Sequence, residues 1–181
     1  MQQVSCLCLL DLSAAFDTLD HSILLHRLST WFVISSVSPQ WFTSYLLSRT
    51  SPIGIPPHIS PSSPLTCGIP QDSVLGPVLF SLYTTPLSSL ISASSISHLL
   101  YPDDIQLFVS FVPKNFAFAI NNLQSTITLI SSPWMSSNYL TLNPSKTEFL
   151  LIGLPQQTSK IINPSLFLPP FHPTHNTQPV C

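Results

Sequence analysis

The chain has 181 residues and a net charge of −2; 44% of its residues are hydrophobic, 7% are charged, and 19 are proline against 4 glycine. That length suffices for one domain with a real core, and so low a charge excludes the usual charged, disordered class. Five Lys plus Arg, with no basic run among them, also exclude a self-sufficient basic nucleic-acid-binding face, so phosphate contacts would have to come largely from other segments.

Val4 to Leu12 (VSCLCLLDL) reads as a buried strand ending at a lone acid, Asp11. Cys6 and Cys8, two apart on that strand, face one side and are expected in the core. Neither they nor Cys67 and Cys181 form a C-x-x-C pair, which argues against zinc. The N-terminus lacks a basic region ahead of its apolar residues, so no secretory signal is read there. No apolar run reaches the ~18 residues of a membrane span, and an intracellular, reducing setting is expected.

Ser13 to Asp17 reads as a turn, and Asp20 as the N-cap of a helix with Leu24, Leu25, Leu28, Trp31 and Phe32 on its apolar face. A second helix starts near Pro39, a residue suited to a first helical position, and carries Trp41, Phe42, Tyr45 and Leu46. Residues 51–64 are proline-rich and read as an irregular loop, a poor place for strands. Leu65 to Ser73 is a loop leading into a helix that Ser73 can cap, with Val74, Leu75, Val78, Leu79 and Leu82 apolar and Pro77 in its first turn. A serine-rich connection, 88–97, follows. Beyond Pro113, Asn115 can cap a helix whose Phe116, Ala119, Ile120, Leu123, Ile127 and Ile130 give the clearest 3.6-residue period in the chain. Pro133 should end or kink it. Leu140 to Leu142 alternates as a short strand, Asn143 to Lys146 makes a turn, and Glu148 to Ile152 a last strand. Residues 153–181 are Pro-, Thr- and Gln-rich, without period, and read as a disordered tail; nothing positions its His172 and His175 as metal ligands.

Between these elements lies Tyr101-Pro102-Asp103-Asp104, two adjacent carboxylates in a chain with seven acids. Apolar residues on both sides make it a hairpin tip. Taken alone, it could be an ordinary polar turn. If its strand neighbours the one ending at Asp11, three carboxylates converge, and such a set can clamp two Mg²⁺ ions around an in-line phosphoryl transfer.

At these residues the chain resembles the palm of a reverse transcriptase from a LINE-type (non-LTR) retrotransposon. Leu9 to Asp17 (LLDLSAAFD) resembles the first catalytic block, and Gly68 to Pro77 (GIPQDSVLGP) the nucleotide-loop block. Tyr101 to Asp104 (YPDD) resembles the catalytic acid pair, and Leu140 to Glu148 (LTLNPSKTE) the lysine-bearing block. The resemblance implies an α+β fold: a palm-type antiparallel sheet with helices on one face, incomplete, spanning residues 1–152. It implies RNA-directed DNA synthesis, with an RNA template and a DNA primer as partners, and two Mg²⁺ or Mn²⁺ ions held by Asp11, Asp103 and Asp104 with the Leu12 carbonyl. Phe16 would lie under the incoming sugar and exclude a 2′-hydroxyl, or be a core aromatic. Gln71 would contact the nucleotide, Lys146 would protonate the leaving pyrophosphate, and Asp17 would make a structural hydrogen bond.

Two positions depart from that pattern. Pro102 stands where the family has a small residue, and fixes φ just before a metal ligand. Asp72 stands where the family has glycine, in a backbone that glycine makes easy, and adds negative charge near a triphosphate. Both are expected to weaken catalysis. Fingers before the first block, and a thumb after residue 152, are not recognisable, so the expectation is a fragment of a decayed mobile-element reading frame. The alternative is a catalytically inactive remnant or a palm-derived interaction module.

Overall fold

The computed structural model describes residues 3–34, 38–47, 49–51, 54–55, 58–59 and 63–161. A five-stranded antiparallel sheet organises them. Its central strand, β1 (Val4–Ser13), alternates strictly, with Val4, Cys6, Cys8, Leu10 and Leu12 buried and the residues between them half-exposed. Burial pushes the Cys6 and Cys8 thiols up, so both behave as small apolar core residues. Helices cover the buried face, as expected of a palm-type sheet.

Asp20 caps α1 (His21–Thr30), its Oδ1 accepting from the Ile23 amide at 2.9 Å. The α1 contact to its neighbours is narrower than its sequence suggests: Leu24 and Leu28 are buried, whereas Trp31 is 51% exposed. In α2 (Ser38–Leu47), Leu46 is buried but Trp41 stays half-exposed, stacked on Tyr45 at 5.3 Å.

The proline-rich stretch departs from expectation. β2 (Thr50–Ser51) pairs with β5 (Ser63–Pro64), and β3 (Gly54–Ile55) with β4 (His58–Ile59). Pro64 is tolerated within β5 because a two-residue ladder needs few amide donors; Pro52, Pro56 and Pro57 lie outside the described residues.

The next helix also differs. α3 (Gly76–Ala93) absorbs much of the expected serine-rich connection and carries Pro86 inside it. Ser73 does serve its start, Oγ accepting from the Gly76 amide at 2.9 Å. Its buried stripe is Leu79, Phe80, Tyr83, Leu87 and Ile91, while Val74 and Val78 face outwards. Five large side chains at helical spacing outweigh the low helix propensity of the serines and the hydrogen bond lost at Pro86.

β6 (Ser97–Tyr101) and β7 (Asp104–Phe111) form the expected hairpin, and β7 pairs with β1. In α4 (Phe116–Leu129), Ala119, Ile120, Leu123 and Ile127 are buried as their period predicts. At Pro133 the helix widens into a π turn, Ile130–Trp134, the kink expected of a proline with no amide to donate. β8 (Thr141–Leu142) and β9 (Glu148–Ile152) close the sheet on the other edge of β1. The chain remains ordered past residue 152 through α5 (Pro155–Thr158) to Ile161, which is buried; the rest of the expected tail, with His172 and His175, lies outside the described residues.

One relation near the end of β1 positions the site. Between its two pairings the chain takes six steps, Leu142 to Glu148, while β1 takes three, Leu12 to Leu9. The surplus loops out as a 3₁₀ turn, Pro144–Lys146, directly beside Asp11.

Candidate active site

Three separate segments meet at the end of β1: the strand itself, the acid hairpin and the lysine turn. The Leu12 amide donates to the Asp103 carbonyl at 3.2 Å, and the Asn143 amide donates to the Asp11 carbonyl at 2.8 Å. Asp11 and Leu12 are therefore stitched by backbone to the acid hairpin on one side and to the lysine turn on the other. Asp11 pairs with Asp104, and Asp104 with Tyr101, so the three form one row on the uncovered face of the sheet.

The electrostatics follow from that row. Asp11 Oδ2 is buried and accepts no hydrogen bond, while Lys146 Nζ lies 3.5 Å from it. Partial desolvation, then the neighbouring charges of Asp103 and Asp11, push the Asp104 carboxyl above its ordinary pKa, and Lys146 pulls it back. This is a donor set of hard oxygens with surplus negative charge, which suits a divalent cation of the Mg²⁺ class. Among the described residues, no three His, Cys, Asp or Glu side chains group closely enough to form a ready-made metal cage. Like charges in one row repel, and the Lys146 ammonium lies beside Asp11.

The hairpin tip accommodates Pro102. Tyr101 still pairs with Asp104, leaving a two-residue loop of Pro102 and Asp103, neither with positive φ. The primed turns usual in such loops need positive φ, which proline cannot adopt. Asp72 has φ +58°, the left-handed backbone that a glycine at this position would adopt freely.

Phe16 is half-buried and packs on Phe80 with ring centroids 5.3 Å apart, so one side of its ring is committed to the core. Its carbonyl accepts from the Ile69 amide at 2.8 Å, and Leu19 O accepts from the Gly68 amide at 2.8 Å. These bonds fasten the loop that carries Gln71 to the segment after β1. Gln71 is exposed, its Nε2 donating to Asp17 Oδ1 at 3.1 Å; Asp17 thus makes a hydrogen bond, here to the loop.

Two further positioning residues were not singled out by sequence. His21 is 2% exposed, and its Nε2 lies 2.7 Å from the Gly68 carbonyl. A histidine following an N-cap aspartate carries no signal of that role, because its partner is 47 residues away. Asn143 accepts from the Ser145 amide at 3.2 Å and so fixes the lysine turn; the Asn-Pro-Ser spacing is a legible Asx signal.

Comparisons with known proteins bear on the family and the fold. Residues 1–176 match the family described as reverse transcriptase (RNA-dependent DNA polymerase). The chain is 31% identical over 76% of its length to the probable RNA-directed DNA polymerase from transposon BS of Drosophila melanogaster. It is 26% identical over 76% of its length to the RNA-directed DNA polymerase from the mobile element jockey of the same organism. It spans 15% of the length of each of these relatives. Among solved structures, apo telomerase from Candida tropicalis, truncated of its C-terminal domain, superposes with a TM-score of 0.63 at 15% identity, covering 82% of this chain and 31% of that one. Telomerase from Candida albicans in complex with a fragment of telomeric RNA gives 0.60 at 10% identity, covering 81% and 27%. At such identities the structural likeness concerns the fold alone. No helix among the described residues is long and apolar enough to cross a membrane.

Proposed function

This chain belongs to the reverse transcriptase (RNA-dependent DNA polymerase) family, and on that premise we propose that its carboxylate row is a nucleotidyl-transfer site of the two-metal kind. The observation that carries the reading is the pairing of Asp11 with Asp104 across β1 and β7, with a buried, unbonded Asp11 oxygen between them and Lys146. Two Mg²⁺ or Mn²⁺ ions held by Asp11, Asp103 and Asp104 would activate a primer hydroxyl and neutralise the leaving pyrophosphate. The Leu12 carbonyl is the remaining candidate ligand. Gln71, presented by the loop that Asp17 and His21 hold, would contact the incoming nucleotide. Phe16, its ring backed by Phe80, would bound the sugar. Lys146, exposed on its turn, would give a proton to the pyrophosphate. The partners of this reading are an RNA template and a DNA primer.

The experiment is a thermal melt of the 181-residue chain with and without Mn²⁺, beside Asp11→Asn and Asp104→Asn variants. A rise in Tm with Mn²⁺ that both substitutions abolish supports the site, and primer extension on an RNA template then tests turnover. An equal Mn²⁺ effect in wild type and variants, or none in any, overturns it.

A second reading has one observation in its favour. Beyond the carboxylate row, the uncovered sheet face exposes Leu99 on β6, Phe108 on β7 and Leu150 and Ile152 on β9, on either side of β1. A palm-derived interaction module would use this face and would survive loss of the carboxylates.

A further inference from the structure

The Lys146–Asp11 contact joins two groups with opposite freedom. The Lys146 side chain is 67% exposed and that of Asp11 21%. Oδ2 of Asp11 is out of water and has no hydrogen-bond donor, a costly state unless a cation serves it. The ammonium can therefore leave, but the carboxylate cannot follow it. The anchor of the lysine turn stays in place meanwhile, since the Asn143 amide holds the Asp11 carbonyl at 2.8 Å and the Asn143 side chain holds the Ser145 amide.

We propose that Lys146 is an internal counter-ion that exchanges with a divalent cation at Asp11 Oδ2, so that cation binding to the carboxylate row releases Lys146 from Asp11. The inference rests on the reading of that row as a cation site and adds a coupling to it. An ammonium is a compact point charge on a flexible stem, and a divalent ion at the same oxygen carries twice its charge, so the two compete for one position. The released lysine keeps its place at the rim of the row and is free to meet an anionic ligand. Loading and lysine release are then one event, and a metal-free site holds its lysine back.

Two measurements on the 181-residue chain test this. Side-chain NMR follows the Lys146 methylene next to Nζ, with exposed Lys160 as internal reference. Electron paramagnetic resonance of free Mn²⁺ gives the affinities of wild type, K146M and K146R. The expected result is a Lys146 signal distinct from Lys160 without metal, which moves to the Lys160 position in D11N and also on saturation of wild type with Mg²⁺. K146M binds Mn²⁺ about tenfold more tightly than wild type, and K146R, which keeps the charge, does not. A Lys146 signal indifferent to D11N, Mg²⁺ binding that leaves Lys146 unmoved, or unchanged affinity in K146M overturns the exchange while leaving the cation site standing. Absence of Mg²⁺ and Mn²⁺ binding in every protein, with Lys146 still sensitive to D11N, overturns the cation site itself and the exchange with it.

Discussion

Asp11 and Asp104 occupy opposed positions on adjacent antiparallel strands, so two carboxylates share one face of the sheet. Desolvation and the charges of Asp103 and Asp11 raise the Asp104 pKa. The folded state therefore binds that proton more tightly than the unfolded chain. Folded stability falls as pH rises from the ordinary carboxylate range through the raised value. In EDTA, Asp104→Asn is expected to melt higher than wild type at neutral pH, with the difference shrinking as pH is lowered. Melts across a pH series check it; a variant that melts lower at neutral pH refutes the repulsion.

Asp72 and Ala14 both have positive φ, +58° and +47°. Left-handed backbone costs a residue with a Cβ about 1 kcal/mol or somewhat more relative to glycine. Asp72→Gly and Ala14→Gly are each expected to stabilise the fold by about 0.5–1 kcal/mol, with Ala14 gaining more, because aspartate tolerates this backbone better than alanine. Urea midpoints measure both, and a loss of stability at either position would show that the side chain has a contact outweighing the strain.

The Gln71 amide and the Asp17 carboxylate bond at 3.1 Å on an exposed surface. A double-mutant cycle with Asp17→Ala and Gln71→Ala should return a coupling of about 0.5–1 kcal/mol. The same cycle read through hydrogen exchange of the Ile69 and Gly68 amides should show faster exchange in each single variant. Additive effects would mean that backbone bonds alone hold the loop.

Arg27 reaches from α1 to α3 and to the end of α4's extension. Its guanidinium donates to the Tyr83 carbonyl and to Asn138 Oδ1 and lies over the Tyr83 ring at 4.7 Å and the Trp134 ring at 5.9 Å. Burial lowers its pKa, as removal from water does for any cation. Arg27→Ala leaves Asn138 Oδ1 without this donor, removes the second bond to the Tyr83 carbonyl and opens space between three helical segments. It is expected to destabilise by about 2–4 kcal/mol, measured by denaturant unfolding; a loss under 1 kcal/mol would place this cluster on the level of a surface contact.

Much of this protein is fixed by local pattern. The strict alternation of β1, the Asp20 cap, the period of α4 and the widening at Pro133 depend on neighbours a few residues apart, and each appears where its residues place it. The four blocks at Asp11, Gln71, Asp103-Asp104 and Lys146 were legible for the same reason: each is a short run with its own chemistry. What sequence could not decide is anything settled by residues far apart. The length of α3 follows from Tyr83, Leu87 and Ile91 finding a core on the sheet, not from the propensity of a serine-rich segment containing Pro86. The outward turn of Trp41 and Val78 depends on which side of each helix has a neighbour. The place of Lys146 depends on a surplus of residues between two pairings with the same strand, and the role of His21 on a carbonyl 47 residues away. Local propensities are small energies, summed over a few residues, that burial of a large side chain can override; the sequence carries the chemistry of the site, and packing decides which of its charges meet.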